Sequence, residues 1–415
     1  MKIIADGNIP FAAKCFSSIG EVKVVEGREI TPPVVRDADI LLVRSVTKVN
    51  ANLLAGSKVH FVGTATIGFD HIDVDFLRAN NIGFASAPGS NSNSAAEYLI
   101  AALFEIGQRL DIELEGKSVG IIGVGNVGSR VAKKAIALGM KVYLNDPPLQ
   151  RYKISHREHR EFDDALLRIE QLVGEVKFLP IEELFDCDFI TLHTPLTFEG
   201  VDKTFHLSNE KFFKSLKERC VFINTSRGGV VNSKALKEAI HSGRLRAVVL
   251  DVWENEPNID TELLRMVDIG TPHIAGYSLD GKVAGMIMIF KAACEYFGFE
   301  TEYTIEDFLP EATIRTLKID PREGSEQDVV TGAVQKVYDI RRDDARLRWI
   351  LERPAEKRGE FFDGLRKNYP VRREFGNTTV VIATENIEFT EDKLTSKKLL
   401  NKLSGIGFKV GNAES

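Results

Sequence analysis

The stretch that decides the fold is Ser118-Val119-Gly120-Ile121-Ile122-Gly123-Val124-Gly125-Asn126-Val127-Gly128. An apolar run of strand character ends on a glycine, and Gly123, Gly125 and Gly128 are spaced G-x-G-x-x-G. That spacing alone says little; here it sits between a strand and a helical segment, Val127–Leu138. Gly123 permits a tight turn, Gly125 lets a ligand approach the backbone, and Gly128 allows helix to pack closely on strand. A helix starting at Val127 offers unpaired N–H groups and a partial positive charge, which suit a pyrophosphate. The following strand, Lys141–Leu144, runs out at Asp146. A carboxylate there accepts hydrogen bonds from a ribose and repels a 2′-phosphate, so the pattern predicts NAD as the cofactor.

Short apolar runs punctuated by turn residues precede this unit. Lys2–Ala5, Glu21–Val25, Asp39–Val43, His60–Gly63 and Ile82–Ala85 read as strands, with helical stretches Ile9–Ser18 and Asp73–Asn80 among them. That alternation predicts βαβ units on a parallel sheet. A long helix follows from Ser94 to Arg109, with Ser94 and Glu97 at capping-box spacing. Downstream of the glycine motif, Phe189–Leu192, Val221–Asn224 and Ala247–Asp251 continue the rhythm to about Ile269. The apolar helix Ala284–Phe297 is placed to return to the first unit, which would make that domain discontinuous. Beyond residue 300 the character changes. Glu326–Leu351 reads as one amphipathic helix with Val330, Val334, Val337 and Tyr338 on a face, followed by a strand at Thr378–Ala383, a helix at Glu391–Leu403 and a strand at Phe408–Val410. The expectation is an α/β protein: two Rossmann-like or flavodoxin-like parallel-sheet domains plus a small C-terminal α/β module. The boundaries expected are 1–95 with 279–298, then 96–278, then 299–415. Cutting off the last module should leave a soluble but poorly associated remainder.

Composition bounds the function. A formal charge of −6 over 415 residues argues against a broad nucleic-acid or membrane surface. The four cysteines, Cys15, Cys187, Cys220 and Cys294, have no metal-ligand spacing and read as buried free thiols. Asp6, Asn8 and Pro10 break the first residues, which predicts neither a signal peptide nor a membrane span, and hence a cytoplasmic protein. The alternating charges of Arg151–Glu170 read as a solvated helix; His156 and His159 share it with Arg157 and Arg160, so no metal site is expected.

Three segments place ionisable residues at strand ends: Asn224–Gly229, Leu250–Pro257 and Thr271–Tyr277. In a parallel sheet such loops face the ligand crevice. Arg227 can grip a carboxylate with both guanidinium nitrogens. His273 can take a hydroxyl proton, and Glu256 can orient the imidazole and stabilise its charged form. Singly, each has a plainer reading as a surface ion pair, a helix-start residue or a loop histidine. His193 also follows a strand but fits the wall of a cofactor pocket better.

Together with the glycine motif and Asp146, these segments resemble the D-isomer-specific 2-hydroxyacid dehydrogenases. The resemblance implies that Arg227, Glu256 and His273 are the catalytic set and that NAD meets Asp146, Thr194, Ser226, Asp251 and Gly276, with Thr225 beside them. A narrower resemblance, to a branch of the family acting on a phosphorylated four-carbon acid, rests on Val43–Val49, Phe61–Thr66, Asp251–Glu254, His273–Tyr277, Leu365–Tyr369 and Arg372–Phe375. It implies that Ser45, Thr66 and Tyr277 contact substrate, that residues 1–95 form a substrate-binding lid, and that the last domain makes a homodimer. Arg44, Ser45, Thr47 and Lys48 would cradle the phosphate. Two departures stand out: extra residues within 151–177, and Gly7 where an acidic residue is expected. The competing readings are a phosphoglycerate or broad 2-ketoacid enzyme on the same scaffold, and an NAD-sensing regulator without turnover.

Overall fold

The computed structural model describes residues 1–155, 160–301, 303–383 and 390–411. The chain gathers into two compact units: Met1–Ser94 with Tyr277–Glu311, and Ala95–Gly276 with Ala312–Ser415.

The first unit holds strands β1 (Lys2–Asp6), β2 (Glu21–Val25), β3 (Ile40–Val43), β4 (Phe61–Thr64) and β5 (Gly83–Ala85). They form a parallel sheet in the order β2-β1-β3-β4-β5. β3 and β4 are buried along their whole length, as strands covered on both faces must be. One face packs Ile3, Phe16 and Phe61 against Val283, Met286 and Phe290. These last three belong to the helix Leu279–Phe297, so this unit is discontinuous in sequence. That helix begins earlier than the apolar pattern suggests, because the Ser278 hydroxyl caps it by accepting the Gly281 N–H at 2.8 Å.

The second unit contains β6 (Ser118–Ile122), β7 (Lys141–Asn145), β8 (Phe189–Leu192), β9 (Cys220–Asn224), β10 (Leu245–Leu250) and β11 (Ile269–Gly270). Their order is β7-β6-β8-β9-β10-β11, all parallel. A single parallel bridge, Leu144 to Phe178, marks where a further strand would extend the sheet beyond β7. The strand order reverses between β6 and β8. The carboxyl ends of those strands are therefore the switch point where ligands settle in doubly wound folds. A small parallel sheet of β12 (Thr316–Ile319), β13 (Thr379–Ile382) and β14 (Lys409–Val410) completes the unit. Leu347, Ile350 and Phe362 from the C-terminal segment are buried in one apolar cluster with Phe222, Leu250 and Trp253.

Two expectations change. The capping box at Ser94 is absent. The helix runs Ser92–Leu110, the Ser94 hydroxyl meets Ser278 Oγ at 2.6 Å, and Glu97 is buried, accepting the Phe375 N–H at 3.0 Å. Tertiary partners have claimed both side chains. The expected helix Glu326–Leu351 is two helices, Glu326–Val337 and Ile340–Arg348. Tyr338 is extended between them (φ −142°), and the Asp339 carboxylate caps the second by accepting the Arg341 N–H. Val330, Val334 and Tyr338 are still buried together.

His156 and His159 lie outside the described residues. Among the described residues no His/Cys/Asp/Glu group could hold a metal ion, and no helix is long and apolar enough to cross a membrane. All four cysteines are free and buried.

Candidate active site

The glycine turn follows β6. Gly123 has φ +88°, and a Cβ there would stand 2.8 Å from the His193 carbonyl. A Cβ on Gly128 would fall 2.0 Å from the Gly123 carbonyl oxygen, so the third glycine protects the turn itself. Gly125 has no atom within 4 Å of its Cβ position, which leaves the backbone open there. The helix Asn126–Ala137 starts with no side chain capping it and no acidic residue in its first turn. Its N-terminal donors and dipole are thus offered to an anion.

Asp146 accepts the Val124 N–H at 2.8 Å through one oxygen and the Leu149 N–H at 3.1 Å through the other. Each oxygen keeps a lone pair for a further donor. Burial raises its pKa, against the opposing effect of these two N–H groups. The Thr194 hydroxyl oxygen, at the end of β8, is buried without a protein partner. An open Gly125, an uncapped helix, a free acceptor at Asp146 and an orphan hydroxyl at Thr194 fit NAD. Replacing Asp146 with Ser removes the repulsion toward a 2′-phosphate. The kcat/KM ratio of NADP to NAD should rise at least about tenfold, the scale of one lost charge-assisted contact. A wild type that already uses both cofactors equally would contradict the role given to Asp146.

His193 is hydrogen-bonded through both ring nitrogens, to Thr191 Oγ1 at 3.0 Å and Thr225 Oγ1 at 3.3 Å. Desolvation pushes its pKa down to about 3. Its imidazole is neutral. Ser226 donates its N–H and hydroxyl to Asn224 Oδ1, at 3.0 and 2.8 Å, so its side chain is spent on shaping the loop.

His273 and Glu256 come from loops after β11 and β10. His273 Nδ1 lies 2.7 Å from Glu256 Oε2, while Glu256 Oε1 accepts the Trp253 N–H at 2.8 Å. A carboxylate partner makes Nδ1 the protonated nitrogen and leaves Nε2 as the base. Burial would raise the Glu256 pKa, but the charge and hydrogen bond of His273, with the Trp253 N–H, bring it below the usual value. His273 has φ +57°, a left-handed conformation that costs a non-glycine residue of the order of 1–3 kcal/mol. Asp251 holds the loop in that shape. Its buried carboxylate accepts the N–H groups of Ile274 and Ala275 at 2.8 and 2.9 Å and the Thr271 hydroxyl at 2.6 Å. Its backbone carbonyl takes the His273 N–H at 2.7 Å. Gly276 follows directly.

Arg227 leaves the end of β9 half-buried, one guanidinium nitrogen 2.8 Å from the Ser226 carbonyl. The next residue must be glycine, since a Cβ on Gly228 would lie 1.9 Å from the Trp253 carbonyl oxygen. That close approach docks the Arg227 loop on the loop carrying Glu256.

The first unit groups a second set of residues. Tyr277 has Arg44 Cζ 5.7 Å and Lys282 Nζ 4.9 Å from its ring centre. Arg44 also donates to the Asn8 carbonyl at 3.1 Å. Ser45 is exposed, and the Thr66 hydroxyl meets Thr64 Oγ1 and the Gly68 carbonyl. Thr47 does not join the expected cradle, because its buried hydroxyl donates to the Gly27 carbonyl at 2.8 Å. Lys282, missed in the sequence, stands with Arg44 as a second cation at Tyr277. Its only sequence signal is a position in the first turn of a mostly apolar helix.

A doubly wound fold with a glycine turn, an acid at the next strand end and a carboxylate-supported histidine is a dinucleotide-dependent dehydrogenase. Residues 101–275 match the model of the D-isomer specific 2-hydroxyacid dehydrogenase NAD binding domain, and residues 308–398 a domain of unknown function, DUF3410. D-lactate dehydrogenase of Aquifex aeolicus, solved with NAD and lactic acid, shares the fold with a TM-score of 0.55 and 24% identity, over 72% of this chain and 96% of that one. Erythronate-4-phosphate dehydrogenase of Proteus mirabilis is 42% identical over 98% of this chain and 99% of its own length. The Hahella chejuensis protein of that name is 40% identical over 99% of this chain and 100% of its own. The chain belongs to the erythronate-4-phosphate dehydrogenases, NAD-dependent oxidoreductases within the D-isomer-specific 2-hydroxyacid family.

Proposed function

We propose that this protein oxidises 4-phospho-D-erythronate to (R)-3-hydroxy-2-oxo-4-phosphooxybutanoate in the cytoplasm, a step toward pyridoxal phosphate. The observation that carries the chemistry is the 2.7 Å contact of Glu256 with His273, itself held in a left-handed conformation. Bound NAD would supply the acceptor for the hydride at C2 of the substrate. Arg227 holds the substrate carboxylate, and His273 Nε2 receives the C2 hydroxyl proton. Glu256, ionised through the neutral range, stabilises the imidazolium that results. Gly123, Gly125, Asn126, Val127 and Gly128 would hold the pyrophosphate, Asp146 the adenosine ribose, and Thr194, Thr225 and Gly276 the remaining polar edges of the cofactor. Ser226 and Asp251 would act there mainly by shaping their loops.

Residues 1–95 with 279–298 serve as the substrate-binding domain and 96–278 as the NAD-binding domain. The distal phosphate of the substrate belongs near Tyr277, where Arg44 and Lys282 supply the cations, with Ser45 and Thr66 nearby in sequence to the same strand ends. Residues 299–415 carry a homodimer interface.

The test compares 4-phosphoerythronate with unphosphorylated erythronate in wild type and in Arg44→Ala/Lys282→Ala. Each lost phosphate contact should weaken binding by about ten- to a hundredfold. The wild type should prefer the phosphorylated acid strongly and the double variant should lose most of that preference. Equal use of both acids by the wild type would defeat the substrate assignment.

A further inference from the structure

The C-terminal segment reaches the catalytic loop directly. Asp344, on the helix Ile340–Arg348, accepts the Gly270 N–H at 2.8 Å, at the entrance to the loop that carries His273. Arg348, from the same helix, binds Asp344 and donates to the carbonyls of Leu264 and Val267 at 3.0 and 2.9 Å. At the loop's exit, Arg372 donates to the Ala275 carbonyl at 2.7 Å. Arg372 is 6% exposed, and its guanidinium lies 4.4 Å from the ring centre of Tyr338. Tyr338 and Tyr369 both donate their hydroxyls to Asp343 Oδ2, at 3.0 and 2.7 Å, and Arg346 closes on the other oxygen at 3.0 Å. These residues lie outside the set read above as meeting NAD or substrate. Placing an arginine, two tyrosines and an aspartate in the interior costs desolvation that only satisfied partners offset.

We propose that Asp344 and Arg372 are positioning residues for the dehydrogenation, gripping Gly270 and Ala275 so that the strained loop between them keeps His273 aimed. Asp251 fixes the loop from inside the nucleotide-binding fold, and the C-terminal segment fixes it from outside. The segment therefore acts in cis on the chemistry, apart from any part in association. A catalytic group needs such support on both sides, because a misplacement near 1 Å can cost about a hundredfold in rate.

The proposal rests on the role given to His273, and the experiment separates the two. Trp253 donates its ring N–H to the Thr271 carbonyl at 2.9 Å, inside the gripped loop. With two tryptophans in the chain, Trp349→Phe makes Trp253 the single reporter. In that background, Arg372→Met keeps the volume and removes the donor. It should lower kcat about ten- to a hundredfold, leave KM for 4-phosphoerythronate within about threefold, and leave the light-scattering mass unchanged. Acrylamide should quench Trp253 more readily. Arg372→Lys, which keeps charge and one donor but not the stacking on Tyr338, should fall between Arg372→Met and wild type on both readouts.

Wild-type kcat and wild-type quenching in Arg372→Met would overturn the proposal. So would a kcat loss matched by dissociation with Trp253 unchanged. If Arg372→Met does not fold, Arg372→Lys decides: lowered kcat with raised quenching supports the grip, and wild-type values for both overturn it. Quenching needs no substrate. A wild type inactive on 4-phosphoerythronate would count against the functional reading and leave the grip to be judged on Trp253.

Discussion

His273→Ala is expected to lower kcat by roughly two to four orders of magnitude, the usual scale for a lost general base, while NAD affinity stays within about threefold. On the proposed roles the loss falls on kcat, because the imidazole would act on the reacting hydroxyl whereas the pyrophosphate and ribose would be held at Gly123–Gly128 and Asp146. His193 cannot replace it. His193 has both ring nitrogens hydrogen-bonded and a pKa pushed down to about 3, so it offers no proton acceptor to the substrate. Glu256 would remain buried without its partner, and burial would then raise its pKa unopposed by the imidazole. The sign matters for pH dependence. In the intact site the Glu256 pKa is depressed, so its support of His273 is complete above the ordinary carboxylate range and is lost as pH falls through the lowered value. An activity limb near neutrality therefore does not report Glu256. Steady-state kinetics and NAD titration of the variant check the prediction. Turnover within threefold of wild type would assign the base elsewhere.

The legible parts of this protein are those where one local rule decides the outcome. The glycine turn, the strand before it and the acid after it appear where expected, because backbone geometry at Gly123 and Gly128 admits no other residue. Central strands such as β4 and β9 were readable because they are parallel and buried, which writes them as continuous apolar runs. The Glu256–His273 pair was legible as two ionisable residues on loops after strand ends, a reading the resemblance strengthened, although nothing in the spacing of residues 256 and 273 predicts their 2.7 Å contact. What stayed hidden depends on long-range partners. Ser94 and Glu97 look like a capping box, yet Ser278 and Phe375 claim them. Thr47 looks like a ligand hydroxyl until Gly27 is found beside it. Arg372 looks like one cation in a basic run, and only the fold brings it to Ala275.

The same long-range contacts reverse an expectation about the C-terminal segment. A protein ending at residue 311 should fail to fold as a cooperative unit, rather than survive as a soluble dehydrogenase core. Leu347, Ile350 and Phe362 are buried in the cluster that contains Phe222, Leu250 and Trp253. Each such side chain contributes about 1.5–3 kcal/mol by burial, so their removal alone approaches the roughly 5–15 kcal/mol by which whole domains are stable. The loss does not end there. Without Asp344 and Arg348, the Gly270 N–H and the carbonyls of Leu264 and Val267 lose their partners beside β11, the edge strand of its sheet. An edge stripped in this way is a template for pairing with another chain. Glu97 and Lys134 lose the Phe375 N–H and the Ile406 carbonyl, leaving two ionisable groups in a broken interior. The truncated chain is expected in the insoluble fraction, or as a species that binds a hydrophobic dye and melts without a sharp transition. A soluble, sharply melting 1–311 protein that still binds NAD with wild-type affinity would show that the nucleotide-binding fold is self-sufficient and that the shared core carries little of its stability.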